Sequence, residues 1–195
     1  MASILKVDKL DPQSGTALEI GTSGDTVTIP SGVTITNSGT ATGFGGGKIG
    51  QAVSATRADD TSISSTSYTD TNCTISITPT ATSSKILYMM SVPTWMYRGG
   101  YVDNRFYGRI RRAISGSYTD MWSVPAGSFG NMKQTDGNDD VFGVMMNSQF
   151  LDSPSTTSEC TYTYELAINA TAGSSYVLAN VSNAKSYITC LEVLA

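Results

Sequence analysis

The sequence contains no histidine. That removes every histidine-based triad, the histidine general base and the commonest metal ligand. Cysteine is scarce as well. The three thiols, Cys73, Cys160 and Cys190, lie far apart and form no CxxC, which argues against a zinc site. They read as small buried apolar residues, while a single Cys73–Cys160 or Cys160–Cys190 bridge stays open as the alternative. Charge is low. Only 14% of the 195 residues are charged and the net charge is -4, against about 25% charged in an ordinary soluble domain. Hydroxyls and amides must therefore cover the surface, and the basic face that nucleic-acid binding usually needs is not in prospect. No apolar run approaches the roughly 18–20 residues of a membrane span. The opening MASILKVDKL lacks the basic and apolar regions of a signal peptide, so secretion by that route is not expected.

What the chain does have is short, β-branched, period-two runs. Residues 21–43 read GTSGDTVTIPSGVTITNSGTATG, with a single charge at Asp25. Val27, Ile29, Val33 and Ile35 alternate there with threonine. Four such side chains cannot bury a core of their own, yet a linker would not keep a period of two around β-branched residues. Strands are expected at 4–10, 17–21, 26–30 and 33–38, each followed by a turn signal. The glycine-rich GFGGG at 43–47 marks a boundary. Residues 1–47 read as a fibrous β-segment completed by neighbouring copies, and 48–195 as a separate domain.

Beyond the boundary the runs lengthen. Strands are expected at 49–56, 62–70, 72–80, 85–92, 104–114, 141–152, 160–170, 175–181 and 187–195. KILYMMSV (85–92) is apolar on both faces, which predicts a central strand or one covered by a partner chain. In 104–114, Phe106, Ile110 and Ile114 fall on one face with Arg112, and Arg105, Tyr107, Arg109 and Arg111 on the other. In 160–170, Cys160, Tyr162, Tyr164, Leu166 and Ile168 point inward and Glu165 outward. No window of 11 or more residues carries a helical period. The fold class is all-β, an antiparallel sandwich of jelly-roll type.

Candidate chemistry is thin. Asp136, Asn138 and Asp140 have the spacing that opens a calcium loop, but the glycine and glutamate positions hold Val141 and Asn147, so a hairpin turn is the better reading. Asp59 and Asp60 are adjacent, whereas glycoside hydrolysis needs two carboxylates held apart across a sugar. The aspartates, Asp152 among them, fall in turn-like or polar segments where solvent leaves them ordinary. Glu165 and Glu192 lie in strands and would be neighbours if the last strands paired. Trp95, Tyr97, Tyr101, Tyr107 and Arg109 form an aromatic and basic group suited to stacking on a glycan; the competing reading is core or subunit interface. No catalytic centre, metal or cofactor is expected.

Four stretches in order, ILKVDKL…SGTALEIGTSGDTVTIPSGVTI (4–35), SYTDTNCTISITPTATSSKILY (67–88), FLDSPSTTSECTYTYELAI (150–168) and ITCLEVLA (188–195), resemble structural proteins of tailed bacteriophages, especially marine cyanophages. The middle, about 93–148, matches none of their motifs. The resemblance implies a non-enzymatic fibre or capsid-decoration protein on the virion surface, made in the cytoplasm of the infected bacterium. It implies a homotrimer with Val27, Ile29, Val33 and Ile35 at the shared interior, bound to capsid or tail proteins. The alternative it leaves is a tail-fibre tip that binds host-surface glycan.

Overall fold

The computed structural model describes residues 16–36, 38–39, 48–98, 104–123, 131–132, 140–169, 175–180 and 184–194. The chain divides into two compact units, Met1–Phe44 and Gly45–Ala195.

In the first unit the described residues form two turns and no strand ladder. Asp25 N donates to Thr22 O at 3.0 Å, and Asp25 Oδ2 accepts from Thr22 N at 2.7 Å. Val33 N donates to Pro30 O at 3.2 Å. Each turn has glycine third, Gly24 (φ 96°) and Gly32 (φ 87°), where a side chain would be strained. The strands expected at 17–21, 26–30 and 33–38 are therefore not paired in the single chain, and 4–10 lies outside the described residues. The reason is area. Ribbons this short and rich in threonine bury too little apolar surface to stand alone. Val27, Ile29, Val33 and Ile35 are 59%, 46%, 57% and 54% exposed.

The second unit is all-β, with no helix among its described residues. Its strands are β1 (Ile49–Arg57), β2 (Thr61–Ile63), β3 (Thr69–Ile77), β4 (Lys85–Arg98), β5 (Asn104–Ile114), β6 (Ser117–Ser123), β7 (Asn131–Met132), β8 (Asp140–Asp152), β9 (Cys160–Ile168), β10 (Tyr176–Ala179) and β11 (Ser186–Val193). One sheet has the order β1-β11-β4-β10-β2, with β8 also on β4; the other runs β3-β9-β5-β6, with β7 on β5. Every pairing is antiparallel.

Most of the runs read from the sequence are strands here. The run at 62–70 instead divides into β2 and the start of β3, and β6 was not anticipated. β4 is central, as its two apolar faces require. One edge pairs with β8 without a break, from Ile86↔Asp152 to Arg98↔Asp140. The other edge is shared by β11, opposite Lys85–Ser91, and β10, opposite Thr94–Tyr97. Pro93 sits at the junction between them. A proline has no N–H for a ladder, but here that position faces the gap, and its carbonyl accepts from Asn180 N at 2.9 Å.

The core lies between the sheets. Cys73, Ile75 and Ile77 of β3, Ile86, Tyr88 and Met90 of β4, Phe106 and Ile110 of β5, and Tyr162, Tyr164 and Leu166 of β9 are all buried. Each large apolar side chain removed from water contributes about 1.5–3 kcal/mol before entropy. Tyr88 stacks on Phe150 (centroids 5.0 Å apart, planes at 19°) and meets Tyr162 at 5.4 Å, tying the sheets together. Cys73, Cys160 and Cys190 are buried and free, so neither bridge forms.

Candidate functional site

The odd-numbered residues of β5 build an ionic cluster on the outer face of its sheet. Glu165 of β9 lies directly across from Arg109. Its Oε2 accepts from Arg109 Nε at 2.5 Å and its Oε1 meets Arg111 Nη2 at 2.5 Å. Arg109 also reaches Asp120 of β6 at 3.4 Å, a half-exposed contact of little weight. The Arg109 guanidinium sits 4.3 Å from the Tyr68 ring centroid, and that of Arg111 4.0 Å from Tyr118. Burial pushes the Tyr68 phenol above its usual range, with Arg109 opposing. Glu165 does face outward, but the arginines cover it and it is only 2% exposed. Both arginines are thus committed to holding one carboxylate.

A second cluster joins the two sheets. Arg112, on the inward face of β5, donates from Nη1 to both Asp152 oxygens at 2.6 Å. Tyr162 OH donates to Asp152 Oδ2 at 2.6 Å. Burial, reinforced by this hydrogen bond, raises the Tyr162 phenol well above its usual range. Asp152 is therefore not the solvated aspartate expected from its polar neighbourhood; it ends β8 against the core, 5% exposed. The only sequence signal was its future partner, an arginine on the apolar face of a strand.

Nothing here activates a thiol. Burial raises the Cys160 thiol, with Arg112 opposing, and pushes Cys190 up to about 12. Glu192, buried at one end of β11, accepts from Thr80 N at 2.6 Å, Thr80 Oγ1 at 2.7 Å and Gln51 Nε2 at 2.9 Å. Burial opposes its ionisation. The Ser84 hydroxyl beside it and the bonds from Thr80 and Gln51 outweigh that and hold its carboxyl down at about 2. Glu165 and Glu192 are not neighbours, because β9 and β11 belong to different sheets.

The five glycan-contact candidates do not gather. Trp95 and Tyr97 are on the outer face of the β4 sheet, where Tyr97 stacks on Tyr176 (4.9 Å) and Trp95 covers Gly143 of β8. Tyr107 and Arg109 are on the outer face of the other sheet, and Tyr101 lies outside the described residues. Asp59 and Asp60 precede β2. Asp136 and Asn138 of the calcium-like spacing also lie outside the described residues. Among the described residues no group of three or more His, Cys, Asp or Glu side chains is placed to hold a metal ion. No helix among them is long and apolar enough to cross a membrane.

No protein-family model matches the chain, and no curated protein matches it. Among solved structures it is similar to a chain of infectious bursal disease virus, Gt strain, at 15% identity and a TM-score of 0.28, over 74% of this chain and 38% of that one. It is similar to the VP2 subviral particle of infectious bursal disease virus at 17% identity and a TM-score of 0.31, over 74% of this chain and 37% of that one. The chain thus spans less than two-fifths of the length of the viral chains it matches. At these TM-scores the likeness assigns neither a family nor an activity.

Proposed function

We propose that the chain is a non-enzymatic structural protein of a bacteriophage virion, a short trimeric fibre or a decoration protein on the capsid surface. One observation supports this most: Val27, Ile29, Val33 and Ile35, with Leu18 and Ile20, are all between 45% and 62% exposed on a segment that has no ladder of its own. An alternating apolar segment of this kind is satisfied by copies of itself, with threonine hydroxyls left outside. The four ordered motifs resembling phage structural proteins supply the virion context. In this reading residues 1–47 associate and attach to capsid or tail proteins, while residues 48–195 project. Contact, not chemistry, is the activity in this reading: Asp152 and Glu165 are held by arginines, and Glu192 by hydroxyl and amide donors. The alternative, a tail-fibre tip reading host-surface glycan, would have to work from two separate faces.

The test is the mass of the purified full chain in solution, with Val27→Asp/Ile29→Asp as the comparison. A trimer that falls to lower mass in the variant supports the reading. A wild-type monomer sinks it. A glycan array on the same samples addresses the alternative.

A further inference from the structure

β8 is a long strand with one open side. Among the described residues it pairs with β4 alone. Pro93 turns its carbonyl toward Asn180, away from β8, so the facing residue, Met145, belongs to a pair that exchanges no hydrogen bonds. By the alternation of an antiparallel ladder, Val141, Gly143, Met145, Asn147, Gln149 and Leu151 all direct N–H and C=O to the open edge. Among the described residues, the one local cap on that edge is Asn147 Nδ2 donating to Met145 O at 3.2 Å.

Natural edges are usually protected by lysine, proline, a bulge or shortness. β8 has none of these. It is 13 residues long, its register with β4 is unbroken, and residues 141–151 carry no charge. Its edge-directed residues also expose large apolar groups: Val141 is 55% exposed, Met145 51% and Leu151 52%.

We infer that β8 pairs antiparallel with β8 of a second copy, centred on Met146, so that the β4 sheet continues across a twofold axis. About that centre the apolar ends match, Val141 with Leu151 and Phe142 with Phe150. Val141 then faces Leu151 of the other copy, Phe142 faces Phe150, and Met146 faces itself. The edge-directed residues meet one another, Val141 with Leu151, Gly143 with Gln149 and Met145 with Asn147, so each meeting is a hydrogen-bonded pair. At the ends Asp140 falls beside Asp152, whose charge Arg112 already neutralises. An edge of 13 residues is roughly 44 Å long at about 3.4 Å per residue. With side chains on both faces the contact buries on the order of 1,000 Å² in total, the lower bound for a specific interface. A charge-free edge offers nothing to a partner selected by charge, whereas its matching apolar ends, Val141 with Leu151 and Phe142 with Phe150, suit its own copy. This twofold contact is independent of the association of residues 1–47 and would join one assembly to the next.

Full-length cysteine variants test it under mild oxidation. Met146→Cys, and separately Val141→Cys/Leu151→Cys on exposed positions, should each give a disulfide-linked dimer. Val141→Cys alone should not, because its two copies lie at opposite ends of the contact. Adding Met145→Lys to the Val141→Cys/Leu151→Cys chain should abolish the dimer without changing the circular dichroism spectrum. The crosslink should persist in Val27→Asp/Ile29→Asp, which separates this contact from the N-terminal one. Absence of crosslinks in both Met146→Cys and Val141→Cys/Leu151→Cys overturns the proposal, as does a dimer from Val141→Cys alone, which requires another register. Occupation of the edge by a different protein would appear as the same absence of dimer.

Discussion

Arg112 and Asp152 form a two-pronged ion pair across the interior of the sandwich, one from β5 and the other from the last position of β8. The pair determines how the sheets are held at that end, since Tyr162 of β9 adds a third hydrogen bond to the same carboxylate. Removing one partner strands the other. We expect Asp152→Ala to cost about 3–5 kcal/mol, the usual loss when a buried pair is broken. Arg112→Met/Asp152→Leu should cost much less. Urea denaturation monitored by tyrosine and tryptophan fluorescence measures both; a single-variant cost below about 1 kcal/mol would remove the pair from the account of stability.

Glu192 gives the fold an acid limit. Its folded carboxyl titrates at about 2, below its ordinary 4.5. The folded state therefore holds the ionised form more tightly than the unfolded state does. The resulting stability is fully present above about pH 4.5 and is lost as pH falls toward 2. Urea midpoints for wild type and Glu192→Gln should differ at pH 7 and converge between pH 5 and 2. Parallel curves would show that Glu192 contributes no such dependence.

The thiols should be silent in the native state. All three are free and buried, and burial raises both Cys160 and Cys190. Ellman's reagent should label none of them quickly at pH 8 and all three in denaturant. Rapid labelling of one native thiol would contradict the placement of that residue in the core.

Gly108 leaves room for Tyr164. A Cβ there would lie 3.0 Å from the phenol ring, in a buried site. Gly108→Ala should destabilise the chain by about 1–3 kcal/mol, as overpacking does. Gly116, where a Cβ meets no atom within 4 Å but φ is 82°, should show a smaller loss from backbone strain alone. Equal thermal midpoints for Gly108→Ala and wild type would argue that the ring moves freely.

Much of the second unit was legible because its strands follow a single rule. Inward residues of β3 and β9 are apolar and outward ones are polar, and the period of two survives inspection by eye. β6 escaped because Ser117–Ser123 is largely exposed and has no apolar face to repeat. β2 and the first residues of β3 fall within one expected run, 62–70, because the serine- and threonine-rich stretch between them resembles a polar strand. Asp152 was misjudged, and the cover over the outward-facing Glu165 was unforeseen, for one reason: the sequence carries the type of a carboxylate and its neighbours along the chain, while burial depends on which strand lies across the sheet. The glycan-contact candidates were grouped by proximity along the chain, whereas β4 and β5 belong to different sheets, so that Trp95 and Tyr97 lie on one outer face and Tyr107 and Arg109 on the other.

The sharing of one β4 edge by β10 and β11 has a consequence for synthesis. Among the described residues β1, near residue 50, finds its one strand partner in β11, and β2 finds its own in β10. Both are made long before those partners emerge from the ribosome. The β4 sheet thus waits for Val193, and until then β1, β2 and one side of β4 are open to wrong neighbours. Pairings this distant along the chain also fold slowly, because a long loop must close before any contact rewards it. A cell making many copies at once would meet this protein first as an unfinished sheet, at the stage when help from chaperones matters most.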